Sequence, residues 1–143
     1  MRYPEPGGNA LASGHTAGQN LTANGIHLFA EWYGCDVSVP ALQYADSLRE
    51  ACLVATRDRG LQCVGEVFHQ FYPQGVTGTV LLAESHLAIH TWPESGFVTL
   101  DVYVCNYLAD NTQKALTLYG LLKNHFKPVR ETLAQVNRGL QDA

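Results

Sequence analysis

The chain is poor in several things that would announce a function. None of its 143 residues fall in an apolar run approaching the roughly 20 needed to cross a bilayer, so a membrane-spanning helix is not expected. Basic residues are scarce, 9 Lys and Arg against 13 Asp and Glu, and nowhere clustered, which argues against a nucleic-acid surface. Cysteine is limited to positions 35, 52, 63 and 105, with no CxxC or other metal-ligand spacing. No basic stretch leading into an apolar one opens the chain, so no export signal is expected. The cysteines then read as free thiols and the cytoplasm as the expected location.

What is present suits one folded domain. The length supports a single core, and 46% hydrophobic with 15% charged residues is ordinary for a soluble globular chain. Residues 1–24, rich in Gly, Pro, Ala, Ser and Asn without a hydrophobic period, are expected to form a mobile extension to a domain spanning 25–143. "GIHLFAEWY" alternates as a strand does. "SVPALQYADSLREACLVATRDRG" reads as one helix, with Ser38 able to cap, Pro40 in the first turn and Gly60 at the end. Its inward stripe is Leu42, Ala45, Leu48, Cys52 and Ala55.

Extended segments are expected near 62–69, 76–83, 86–92 and 97–105. A second helix, capped by Asp110 or Asn111 and stopped by Pro128, should turn Ala115, Leu118, Leu122 and Phe126 inward. The tail "QVNRGLQDA" is expected to be poorly ordered. Together these elements predict an α+β fold, a two-layer αβ sandwich with a largely antiparallel sheet and two helices on one face.

The stretch "AESHLAIHTWPE", residues 83–94, concentrates reactive side chains in an otherwise ordinary strand. Two histidines on an open sheet face are the plainest reading of His86 and His90. Shared metal ligation does not suit them, because positions four apart on a strand are roughly 13 Å distant. A serine hydrolase does not suit Ser85, which lacks a Gly-x-Ser-x-Gly elbow and has the opposite strand parity to His90. His90, Trp92 and Glu94 alternate onto one face. In "FVTLDVYVC" Val98, Leu100, Val102 and Val104 claim the helix side and leave Cys105 on the face of His90. An imidazole, an indole, a carboxylate and a thiol on one face suit a flat, hydroxyl-bearing, cationic ligand.

The run Glu-Ser-His-x-x-x-His-Thr-Trp-Pro-Glu, with a cysteine twenty residues after the serine, resembles the bacterial and archaeal S-adenosylmethionine decarboxylase proenzymes. The likeness extends through "FHQFYPQGVTG" and "HLFAEWYGCD", over roughly residues 25–126. It implies that the chain cuts itself between Glu84 and Ser85. Ser85 Oγ attacks the Glu84 carbonyl to form an ester, loss of the Ser85 α-proton eliminates it, and hydrolysis leaves a pyruvoyl group. No separate cofactor is then loaded and no metal is expected. The pyruvoyl carbonyl condenses with the substrate amine to a Schiff base and accepts the electrons that decarboxylation releases.

The resemblance makes Cys105 the proton donor, His90 the base for self-processing and Thr77 a processing residue. It has Phe71 stack on adenine and Glu94 bind the ribose hydroxyls, with Trp92 beside them. The product, decarboxylated S-adenosylmethionine, is the aminopropyl donor for spermidine synthesis. The family's dimers share their active sites, which would resolve the parity conflict: Ser85 and Cys105 of one chain would meet Phe71, Thr77, His90 and Glu94 of the other.

Three features depart from the resemblance. Thr77 replaces a usual serine, Asn106 and Tyr107 follow Cys105 where glycine is common, and no tyrosine follows Trp-Pro-Glu. Two other readings therefore stand beside it: a pyruvoyl-dependent arginine or ornithine decarboxylase on the same scaffold, and an uncleaved regulatory homologue without activity.

Overall fold

The computed structural model describes residues 25–106 and 110–139; the expected extension over 1–24 lies outside them. Strands β1 (Gly25–Tyr33), β2 (Cys63–Gln70), β3 (Val76–Leu82), β4 (Ser85–Trp92), β5 (Phe97–Cys105) and β6 (Arg130–Arg138) form one sheet in the order β2-β3-β4-β5-β1-β6. Every neighbouring pair is antiparallel. Helices α1 (Pro40–Gln43), α2 (Ala45–Asp58) and α3 (Thr112–Phe126) pack on it, α2 against β2 and β3, α3 against β5 and β1. The α+β sandwich is as the sequence predicts.

Period-two alternation decides the two faces. Ile26, Leu28, Ala30 and Trp32 of β1, Leu87 and Ile89 of β4, and Val98, Leu100, Val102 and Val104 of β5 are buried on the helix side. Leu42, Leu48, Cys52, Ala115, Leu118, Leu122 and Phe126 meet them from above. Each fully buried Leu, Ile or Phe contributes about 1.5–3 kcal/mol of transfer free energy. At Gly78 the absence of a side chain lets the Phe68 ring lie across β3, for a Cβ there would come within 2.2 Å of it.

The long first helix of the sequence reading is two. Tyr44 is extended (φ −122°, ψ 133°) and separates α1 from α2. Ser38 caps neither; its hydroxyl and backbone N–H donate to Asp36 Oδ1. Pro40 does occupy the first turn. Asn111 precedes α3 without a side-chain cap bond, and Asp110 Oδ1 accepts the Thr112 N–H.

The tail is the larger correction over the part described; residues 140–143 lie outside it. Gln135–Arg138 belong to β6, which pairs along the whole of β1. The polar sequence "RETLAQVNR" lacks a strong apolar face, but an edge strand is held by its backbone ladder. Glu131 adds an anchor to α3, accepting hydrogen bonds from Lys123 Nζ (2.7 Å) and the Tyr119 hydroxyl.

Candidate active site

The site residues fall into two groups at opposite ends of β4. At its start, residues 83–84 form the turn from β3, and Ser85 is the first residue of the strand. The Ser85 hydroxyl accepts the Cys105 backbone N–H at 2.8 Å. Glu84, Ser85 and Cys105 line a common pocket of about 430 Å³ with Gln62 and Asn111.

At the far end, β3 and β4 place Thr77 directly opposite His90, and Thr77 Oγ1 and His90 Nδ1 share a hydrogen bond of 3.1 Å. The His90 and Trp92 rings lie 6.2 Å apart, and Trp92 in turn packs at a tilt against Phe97 at 5.2 Å. Phe71, Thr77, His90, Trp92 and Glu94 line a second pocket of about 290 Å³. Glu94 lies in a 3-10 turn (Pro93–Ser95) beyond the end of β4, so that turn rather than strand alternation carries it into the pocket.

Cys105 is on the same sheet face as His90, as its parity requires, but not in the same pocket. The register sets Tyr103 against His86 and Thr99 against His90, which leaves Cys105 beyond the start of β4. Ser85 and His90 are five positions apart, roughly 16 Å along a strand. One chain therefore holds a nucleophile with a thiol at one end and a base with an aromatic, acidic pocket at the other.

Two residues of these pockets carry no obvious signal in the sequence. Asn111, read there only as a helix cap, donates from Nδ2 to the Cys105 carbonyl at 3.0 Å, while its own N–H goes to Asn106 Oδ1 at 2.7 Å. Gln74 lines the Phe71 pocket from a loop whose Pro and Gly mark only a turn. Beside Ser85, His86 faces the open side with His27 and Tyr103. Burial, then the nearby His27 and Arg138, hold its imidazole below the ordinary value. Among the described residues no group of three His, Cys, Asp or Glu side chains is placed to hold a metal ion, and no helix is long and apolar enough to cross a membrane.

The family model described as S-adenosylmethionine decarboxylase matches residues 26–139. The chain belongs to the S-adenosylmethionine decarboxylase family. Among relatives named S-adenosylmethionine decarboxylase proenzyme, that of Persephonella marina is 44% identical over 81 residues, 57% of this chain and 59% of that one. That of Acetivibrio thermocellus is 35% identical over 120 residues, 84% of this chain and 92% of that one. The crystal structure of the adenosylmethionine decarboxylase from Aquifex aeolicus is similar with a TM-score of 0.73 and 33% identity, covering 82% of this chain and 92% of that one. A Trypanosoma brucei member of the S-adenosylmethionine decarboxylases shares the fold at 22% identity and a TM-score of 0.52, covering 76% of this chain and 44% of that one.

Proposed function

We propose that this chain cuts itself between Glu84 and Ser85 and then, with a pyruvoyl group derived from Ser85, decarboxylates S-adenosylmethionine in the cytoplasm. The products of cutting are residues 1–84 and 85–143 of a single decarboxylase domain and its N-terminal segment. The observation that carries this reading is the junction itself: an exposed turn residue, Glu84, followed by a serine whose hydroxyl is oriented by the Cys105 N–H.

Ser85 Oγ is the nucleophile toward the Glu84 carbonyl carbon. The attack moves the acyl group from nitrogen to oxygen, and the ester leaves as the Glu84 carboxylate once the Ser85 α-proton is removed. The dehydroalanine left at position 85 takes up water and releases ammonia to become the pyruvoyl group. His90 is the base for that removal, its ring orientation set by the Thr77 hydroxyl. The residues around position 85 fit a pyruvoyl group: an open pocket, a backbone N–H at 2.8 Å from Oγ and the Cys105 thiol lining the same space. When present, that group supplies the electron sink that no side chain offers. Cys105 returns a proton to the substrate α-carbon, Phe71 faces the adenine, and Glu94 accepts the ribose hydroxyls, with Trp92 alongside.

A homodimer completes the site. Each chain carries both half-sites far apart, and a two-fold axis sets the Ser85 end of one against the His90 end of its partner, giving two equivalent sites. The sheet face opposite the helices has the character such contact needs, with Phe29, Val67, Leu81 and Val136 exposed on it. The product supplies an aminopropyl donor for spermidine synthesis.

The test mixes two inactive variants. Ser85→Ala and His90→Ala chains, co-refolded, should regain decarboxylation that neither has alone, read as carbon dioxide released from S-adenosylmethionine. No recovery in verified heterodimers overturns the shared site. Release from arginine or ornithine in preference to S-adenosylmethionine overturns the substrate.

A further inference from the structure

Phe71 is a poorly supported ring. It is 48% exposed, so no core packing fixes where it points. Its position is inherited from the backbone of residues 71–75, and that backbone converges on one side chain. Gln70 Nε2 donates toward the carbonyls of Phe71 (2.9 Å), Gly75 (3.0 Å) and Gln43 (2.9 Å), while Gln70 Oε1 accepts the Ala45 N–H at 2.6 Å. An amide has two N–H hydrogens, so one bond of the three is shared.

The loop closes around this amide. Phe71 N–H donates to the Gly75 carbonyl (2.8 Å), and Gly75 N–H donates to the Gln43 carbonyl (3.0 Å). Gly75 has φ +101°, and a Cβ there would lie 3.3 Å from the Thr91 carbonyl oxygen, so the loop passes tightly over the end of β4. On the other side the His69 ring meets Phe71 edge-on at 4.8 Å. Gln43 and Ala45 flank the break at Tyr44, so the interrupted helix presents a carbonyl and an N–H that Gln70 meets just where the loop passes, the Gln43 carbonyl being shared with the Gly75 N–H.

We propose that Gln70 is a positioning residue for substrate binding: its amide ties the 71–75 loop to the α1–α2 break and so presents the Phe71 ring to the ligand. The proposal rests on the assignment of Phe71 to the adenine. Gln70 touches neither the cut bond nor the thiol, and its effect falls on binding.

The test uses the full, self-processed chain. In Gln70→Ala, and in Gln70→Glu, which keeps the length and the acceptor for Ala45 but no donor, self-cleavage proceeds. KM for S-adenosylmethionine should rise about tenfold, the scale of one lost hydrogen-bonded anchor. kcat should stay within about twofold, as expected when ground-state and transition-state binding weaken together. In a Phe71→Ala background the Gln70 changes should add no further rise, because both act through one ring. An unchanged KM, a fall confined to kcat, or full additivity with Phe71→Ala overturns the proposal. So does failure of both variants to fold, since the amide would then serve the fold rather than the ring. If Phe71→Ala alone leaves KM unchanged, the adenine assignment falls and takes the proposal with it, and that result is distinct from a silent Gln70.

Discussion

The backbone N–H of Cys105, the last residue of β5, donates to the hydroxyl of Ser85, the first residue of β4, at 2.8 Å. The contact uses the backbone of one residue and the side chain of the other, which separates two chemical steps. Cys105→Ala keeps the donor and removes the thiol. Self-cleavage should continue, seen as two bands on denaturing electrophoresis, while decarboxylation falls by about 10²–10⁴, the usual contribution of a positioned acid. Ser85→Ala should give one band of full mass and no activity.

The Thr77–His90 pair yields a prediction about cutting. Thr77→Val keeps shape but removes the hydroxyl that orients His90 Nδ1. The cleavage rate, followed as loss of the uncut band with time, should fall about tenfold, the scale of one hydrogen bond to an imidazole. Thr77→Ser keeps the hydroxyl and should cut at or above the parental rate, because a serine side chain is less restricted in χ1.

How far the sequence could be read follows from the range of each signal. Alternation in β4 and β5 is local, so the faces of Leu87, His90, Val102 and Cys105 were legible. Alternation assigns a face but no position along it. That Cys105 lies at the Ser85 end, away from His90, is implied in the sequence by the family resemblance alone; its physical cause, the register of β4 with β5, is visible only in three dimensions. The break at Tyr44 was illegible for a related reason: helical spacing runs on through it, and the amide of Gln70 that meets the freed groups is remote in sequence. Strand β6 is not legible in the sequence because an edge strand paired through its backbone needs no apolar stripe, and "RETLAQVNR" shows none. The motif residues themselves were legible because their chemistry is unusual in so short a span.

The four cysteines should divide by burial. Burial pushes the Cys35 thiol up to about 11 and the Cys52 thiol up to about 12, so neither carries much thiolate near pH 8. Cys63 is exposed and Cys105 half-buried in an open pocket. Iodoacetamide at pH 8 on the native protein, followed by peptide mass spectrometry, should label Cys63 and Cys105 and leave Cys35 and Cys52 unmodified. Rapid labelling of Cys52 would mean that the α2 packing opens in solution.

Glu131 gives a pH dependence with a defined sign. The hydrogen bond from Lys123, and then that from Tyr119, hold its carboxyl below the ordinary carboxylate value. Tyr119 in turn accepts the Trp32 indole N–H at 2.9 Å, so the network reaches from β6 through α3 into the core. A carboxyl whose pKa is lower folded than unfolded stabilises the fold above its unfolded pKa, and that contribution disappears as pH falls through the folded value. Glu131 and Lys123 are both partly exposed, which limits the effect to about 1–2 kcal/mol. Urea unfolding at pH 7 should therefore find Glu131→Gln less stable than the parent by that amount. The gap should narrow as pH is lowered through the acid range, as the parent's own Glu131 becomes protonated. A gap that persists unchanged to pH 3 would show that ionisation of Glu131 contributes nothing to the docking of β6 on α3, and no gap at pH 7 would show that β6 is held by its ladder with β1 alone.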